Sequence, residues 1–136
     1  MSQHTHHTVD LTRNQSLVMG TLASSNGPMS AYTILDELRD EGLRAPLQVY
    51  RALEKLVEFG LVHRLESLNS FVACRHPGCD EHQTIAFMIC DECGQVNEIT
   101  DASLAKRLSL LGKEAGFLLK KSAVELRGVC GDCQAA

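Results

Sequence analysis

Two cysteine pairs of identical spacing set the tightest limit on how this 136-residue chain folds: Cys90/Cys93 in ICDECG and Cys130/Cys133 in VCGDCQAA. A C-x2-C pair presents two sulfurs from one tight turn, which is half of a tetrahedral zinc site. Cys90/Cys93 stands between two segments of strand character, IAFMIC (85–90) and QVNEI (95–99). Cys130/Cys133 follows a third, LLKKSAVELRG (118–128). If those strands share a sheet, the two turns meet at one edge. Four thiolates then close around zinc with no open position, and such a site is structural. A thioredoxin-like redox couple needs one pair only, opening a helix after a strand. Here the first pair leads into a strand-like segment and the second would go unexplained, so the four-cysteine zinc site is the reading adopted.

All six cysteines lie between positions 74 and 133. The opening MSQHTHHTVD lacks the charged start and apolar centre of a signal peptide, and no apolar run approaches the roughly 18 residues of a membrane span. A cytoplasmic protein is expected, in which thiols hold metal more readily than they form disulfides. The net charge of −4 and pI near 5.8 give no bulk attraction to nucleic acid. Any DNA contact therefore has to come from a local patch. No Ser/His/Asp arrangement, phosphate loop or catalytic carboxylate pair stands out, so no enzymatic activity and no small-molecule substrate other than zinc are expected.

Residues 2–10 are polar and carry His4, His6 and His7, and read as a terminal tail. Beyond them, apolar residues at helical spacing predict three short helices: 12–24 (Leu17, Val18, Leu22), 30–42 (Ile34, Leu35, Leu38) and 46–60 (Val49, Leu53, Leu56, Val57). SNGP, Gly42 and Gly60 end them, and Pro46 opens the third. LVHRLES and SFVAC, on either side of LNS, then read as a hairpin. Three helices and a hairpin outline a winged helix-turn-helix whose third helix enters the major groove. RHPGCDEHQT (75–84) reads as a hinge, and the remainder as a strand pair, a helix over 101–116 and the last strand. The fold class is therefore α+β: a winged-helix domain (1–74), a hinge (75–84) and a small α/β domain (85–136) carrying the four-cysteine site.

Setting the two pairs aside leaves Cys74 and Cys79, with His63, His76, His82, Glu81 and Glu98 near them in sequence or in the expected fold. Ligands drawn from both domains and the hinge would fix relative domain orientation, as a sensor requires. A thiolate, imidazole and carboxylate set suits zinc better than magnesium or calcium.

Together MSAYTILDELR, VYRALEKLVEFGLVHRLESLNSFVAC, ICDECGQVNEI and GVCGDC resemble the ferric uptake regulator superfamily, in detail its zinc uptake regulator branch. The resemblance covers nearly all of residues 12–133. It implies a homodimeric, metal-responsive repressor of zinc uptake genes, binding double-stranded operator DNA when zinc-loaded and carrying two zincs per chain. It puts the structural zinc on Cys90, Cys93, Cys130 and Cys133, and the regulatory zinc on His63, Cys74, His82 and Glu98. The DNA contacts fall on Tyr32 and Arg51, with Tyr50 beside Arg51. Arg39, Arg44, Lys55 and Arg64 are candidates for phosphate. The hinge departs from the branch: His76 and Cys79 are extra, one residue more separates His82 from Cys90, and Cys79 or His76 stands as an alternative to His82. The iron branch's run of histidines before the first cysteine pair is absent, which argues against an iron or manganese sensor. The other readings are an iron, manganese, haem or peroxide sensor on the same fold, and a zinc-ribbon interaction module without DNA binding.

Overall fold

A computed structural model describes residues 10–75 and 85–135. The His-bearing tail and the hinge residues His76, Cys79, Glu81 and His82 lie outside the described residues. The first helix, α1 (Arg13–Ala23), starts in a reciprocal cap: Thr12 Oγ1 accepts the Gln15 N–H, and Gln15 Oε1 accepts the Thr12 N–H. Ser30 caps α2 (Ala31–Leu38) through the Thr33 N–H. The second helix was expected to run to Gly42. Instead α2 stops at Leu38 and a 3-10 turn, Arg39–Glu41, tightens the last stretch into Gly42, whose φ of 100° only glycine adopts without strain. Pro46 opens α3 (Pro46–Glu58), whose Val49, Ala52, Leu53 and Leu56 form one buried stripe.

That stripe packs with Val18 and Leu22 of α1, Ile34, Leu35 and Leu38 of α2, and Val62, Phe71 and Ala73 of a hairpin. The hairpin is β1 (Val62–Leu65) and β2 (Ser70–Ala73), antiparallel, with His63 opposite Val72. A 3-10 turn, Glu66–Leu68, and Asn69 in the left-handed region join the two strands. Met29 and Phe71 exchange both backbone hydrogen bonds, which ties the hairpin to the segment before α2.

The rest of the chain forms a three-stranded sheet in the order β4-β3-β5, with β3 (Ile85–Cys90) central, β4 (Val96–Thr100) antiparallel to it and β5 (Ala123–Gly128) parallel. Between β4 and β5 runs α4 (Ala102–Glu114), capped by Asp101. The last strand, expected over 118–128, covers only Ala123–Gly128. It pairs with β3 alone, from Ile85↔Ala123 to Cys90↔Gly128, and so runs no longer than that partner. A short helix after it, α5 (Gly131–Gln134), was not expected.

One face of this sheet receives the hairpin. Leu65, fully buried, packs with Ile85, Phe87 and Ile89, and with Leu68, Val72 and Val96 at the margin. The opposite face is open at Met88 and Leu126, which are paired in register and each 47% exposed. Nor does α4 bury any residue, and Leu110, Leu111, Phe117 and Leu118 are exposed with it. No helix among the described residues is long and apolar enough to cross a membrane.

Candidate metal centres and nucleic-acid face

The parallel pairing of β3 with β5 carries Cys90 and Cys130 to the same end of the sheet. The chain reverses after Cys90 through Gly94 (φ 77°), with the Gly94 N–H returning to the Cys90 carbonyl. Cys130 caps α5, whose first turn holds Cys133. All four sulfurs lie within 4.8 Å of one another, and Cys93 Sγ is 3.8 Å from Cys130 Sγ. A tetrahedron with arms of ~2.3 Å, the zinc–sulfur distance, has edges of about 3.8 Å. The donor set and its spacing therefore fit zinc, closed by four protein ligands.

The electrostatics of the cluster point the same way. The backbone N–H of Cys130, with that of Cys93, aims at Cys90 Sγ and lowers its pKa to about 6. Hydrogen bonding to Cys130 and Cys90, with burial adding to it, pushes the Cys133 thiol up to about 12. The Gln95 backbone pulls Cys93 down, but Cys90, burial and Cys130 together leave it raised. Four sulfurs this close cannot all ionise unaided, whereas a divalent cation among them makes four thiolates favourable.

A second cluster joins hairpin to sheet. His63 on β1, Cys74 just after β2 and Glu98 on β4 bring their ligand atoms within 4.8 Å of one another. Glu98 Oε1 lies 3.5 Å from His63 Nε2 and 3.8 Å from Cys74 Sγ. The side chains of His63 and Glu98 are 12% and 5% exposed. The His63 ring leans on Phe87, centroid to centroid 5.5 Å, and the Arg75 N–H donates to Glu98 Oε2. Separations of this size match the edges of a tetrahedron of nitrogen, oxygen and sulfur around zinc, about 3.3–3.7 Å. Cys74 is disulfide-bonded here, so its sulfur becomes a ligand only on reduction. Three of the four residues expected to hold the regulatory zinc are thus side by side, and the fourth, His82, lies outside the described residues.

Tyr32 and Arg51 are exposed on α2 and α3. Lys55 pairs with Glu58 at 3.2 Å, and Arg51 has no ion pair among the described residues, which leaves its guanidinium available. Tyr50 is half-buried against the helical core, so its ring is committed in part to packing. Of the candidate phosphate contacts, Arg39 pairs with Asp36 and Arg64 with Glu66, while Arg44 is exposed. The sequence reading passed over Leu47, one turn before Arg51 on α3 and 57% exposed, an apolar side chain of the kind that meets thymine methyls. Its place at the first turn after Pro46, outside the apolar stripe, was the available signal.

The model of the Ferric uptake regulator family matches residues 6–127. The Zinc uptake regulation protein of Escherichia coli is 38% identical over 126 residues, covering 92% of this chain and 73% of that protein. The crystal structure of holo XcZur superposes with a TM-score of 0.83 at 38% identity, over 93% of this chain and 87% of that one. A zinc uptake regulator complexed with zinc and DNA gives 0.83 at 36% identity, over 91% and 83%.

Proposed function

Because the chain belongs to the ferric uptake regulator family, we propose that it is a zinc-responsive transcriptional repressor, active in the cytoplasm as a homodimer on operator DNA and controlling zinc uptake genes. The observation that carries this reading is the meeting of His63 and Cys74 from the hairpin with Glu98 from the sheet. Two zincs per chain are proposed, one on Cys90, Cys93, Cys130 and Cys133, the other on His63, Cys74 and Glu98 with His82. Zinc at the second site supplies a cationic crosslink between residues 1–74, the DNA-binding domain, and residues 85–136, the dimerisation domain, across the hinge 75–84. Likeness to a zinc uptake regulator complexed with zinc and DNA supports the DNA partner.

The chain's own residues do the rest. His63, Cys74 and Glu98 set the angle between the helices and the sheet, and in a dimer that angle sets the separation of the two α3 helices. Half-sites one turn of DNA apart demand a separation of about 34–36 Å. Arg51, exposed on α3, would donate both guanidinium nitrogens to a guanine edge, with Tyr50 beside it in sequence, Leu47 one turn before it and Tyr32 exposed on α2. In an acidic chain these contacts depend on a local patch, so binding weakens steeply with salt.

The test is metal content per chain of the protein kept reduced, so that the Cys74 sulfur can ligate, followed by dialysis against a mild chelator while binding to an operator selected from random duplexes is monitored. Two zincs are expected, one leaving easily and taking operator binding with it, and Arg51→Ala should cost roughly 10–100-fold in operator affinity with both zincs retained. A single zinc that never leaves, with no DNA binding at any zinc level, would overturn the reading.

The homodimer is supported by the open sheet face and by α4, which buries nothing within one chain. A second copy is the occupant that would cover Met88, Leu126, Leu110 and Leu111. Placing a charge there with Leu126→Asp is expected to shift sedimentation from dimer to monomer at micromolar concentration and leave the zinc content unchanged. A dimer that persists would place the interface elsewhere.

A further inference from the structure

Glu125 is the one carboxylate of β5 and belongs to neither metal cluster. It stands beside Phe87 on the central strand, and Phe87 has Glu98 on its other side, so Glu98, Phe87 and Glu125 form a single row across the sheet. At the ~4.8 Å spacing of neighbouring strands, the two carboxylates start about 10 Å apart. The hairpin lies along this row. His63 leans on Phe87 beside Glu98, fully buried Leu65 follows, and residues 66 and 67 reach the far edge. Three residues of strand, from 63 to 66, also span about 10 Å, so the two lengths match.

At that far edge Glu125 Oε2 accepts the Glu66 N–H at 2.9 Å, and Oε1 accepts both the Ser67 N–H at 3.1 Å and the Ser67 hydroxyl. These N–H groups belong to the first residues of the 3-10 turn 66–68, where no earlier carbonyl of the turn is available to them. The carboxylate therefore caps the turn from a strand 59 residues away in sequence. Burial works against its charge. The Ser67 hydroxyl, the two N–H groups and nearby Arg127 outweigh that and hold its pKa below the ordinary carboxylate value. Arg127 itself is bonded to Asp91 at 2.7 Å and does not draw Glu125 away from the hairpin.

We propose that Glu125 is a positioning residue of the zinc switch: it fastens the tip of the hairpin to β5, at the edge of the sheet opposite the metal ligands, and so lowers the zinc concentration at which the hairpin stays docked. This rests on the zinc-sensor reading of His63, Cys74 and Glu98. Apolar packing of Leu65, Leu68 and Val72 on the sheet is non-directional and leaves the hairpin some freedom to swing about the metal-ligand end, and a polar fastening at the tip restricts it. Each fastening then reduces the ordering cost of the other, which is positive coupling between the latch and the metal. Because the groups released on opening return to water, the latch is reversible, as a switch needs.

The full chain carrying Glu125→Ala tests this, with Glu125→Gln beside it. Zinc loading of the exchangeable site is read by competition with a fluorescent chelator. Amide exchange at Glu66 and Ser67, tightly held zinc and thermal unfolding are followed on the same samples. For Glu125→Ala the zinc concentration at half-loading is expected to rise about tenfold, with exchange at both amides faster by a similar factor. Tightly held zinc and the unfolding transition of the sheet should be unchanged. Glu125→Gln, which keeps one carbonyl acceptor and loses the charge, should fall between. Half-loading within twofold of the parent, even with faster exchange, would overturn the proposal. So would loss of the tightly held zinc, which would make Glu125 a residue of the sheet's own stability. A parent chain without exchangeable zinc overturns the sensor reading and the latch with it, whereas normal loading beside an indifferent Glu125→Ala overturns the latch alone.

Discussion

Cys90→Ser is expected to lose the tightly held zinc and, with it, the cooperative unfolding of the three-stranded sheet. Cys90 ends the central strand, is 5% exposed, and its sulfur accepts the N–H groups of both Cys93 and Cys130. It therefore ties the ends of β3 and β5 even before metal is considered. The sheet has little else to rely on. Its buried apolar residues among those described are Ile85, Ala86, Phe87 and Ile89, beside Cys90 itself, while α4 contributes none. Structural zinc sites of this kind supply on the order of 10–16 kcal/mol of apparent binding free energy near neutral pH, more than the whole stability of many small domains. Elemental analysis should show one zinc fewer per chain. Circular dichroism on heating should show the sheet's transition broadened or gone while the three-helix part keeps its own. A variant with unchanged zinc and an unchanged transition would remove the structural role from this site.

The second large effect is expected at His63. His63→Asn removes the ring nitrogen facing Glu98 and retains a polar side chain of moderate size, so less packing against Phe87 is lost than with alanine. To move a two-state protein from 1:99 to 99:1, a ligand must favour one state by about 5.5 kcal/mol. Removing one ligand of so small a set should forfeit most of that, and operator affinity at a zinc level saturating for the parent should drop about 100-fold. The tightly held zinc, the dimer and the unfolding transition should remain. Operator binding that still follows zinc would mean that the sensing ligands lie elsewhere in the chain.

The two variants divide the chain along a line already legible in its residues. The spacing of Cys90/Cys93 and Cys130/Cys133, with strands around the first pair and one before the second, predicts that the four sulfurs meet if those strands share a sheet, and β3 and β5 do pair. Periodicity placed α1 and α3, because Pro46, Gly60 and the SNGP stop after α1 are local signals acting within a turn or two. The misplaced boundaries are those set by something distant. The expected last strand includes Leu118 to Ser122, yet β5 begins at Ala123, the position paired with Ile85 of the central strand. The site shows the same division. Residue type and expected nearness grouped Cys74, His63 and Glu98 with His76, Cys79, Glu81 and His82, and the family resemblance chose among them. Glu125 could not be found at all, because a carboxylate whose partners are backbone N–H groups 59 residues away leaves no pattern in the sequence around it.

The parallel pairing of β3 with β5 has a consequence for how the protein is made. Each residue of β3 stands beside one 38 positions later, from Ile85 with Ala123 to Cys90 with Gly128, whereas the three helices and the hairpin all lie within residues 13–73 and are synthesised before β3. Contacts between close positions form quickly, and those that close long loops form late. On the ribosome the helices and hairpin can therefore be complete while the sheet is still two strands, with Cys90 and Cys93 offering only half a binding site. The tightly held metal has no stable place until Cys133 has left the exit tunnel. Zinc capture by the two cysteine pairs is therefore expected after the helices and hairpin have formed, which ties folding of the sheet to the metal then available.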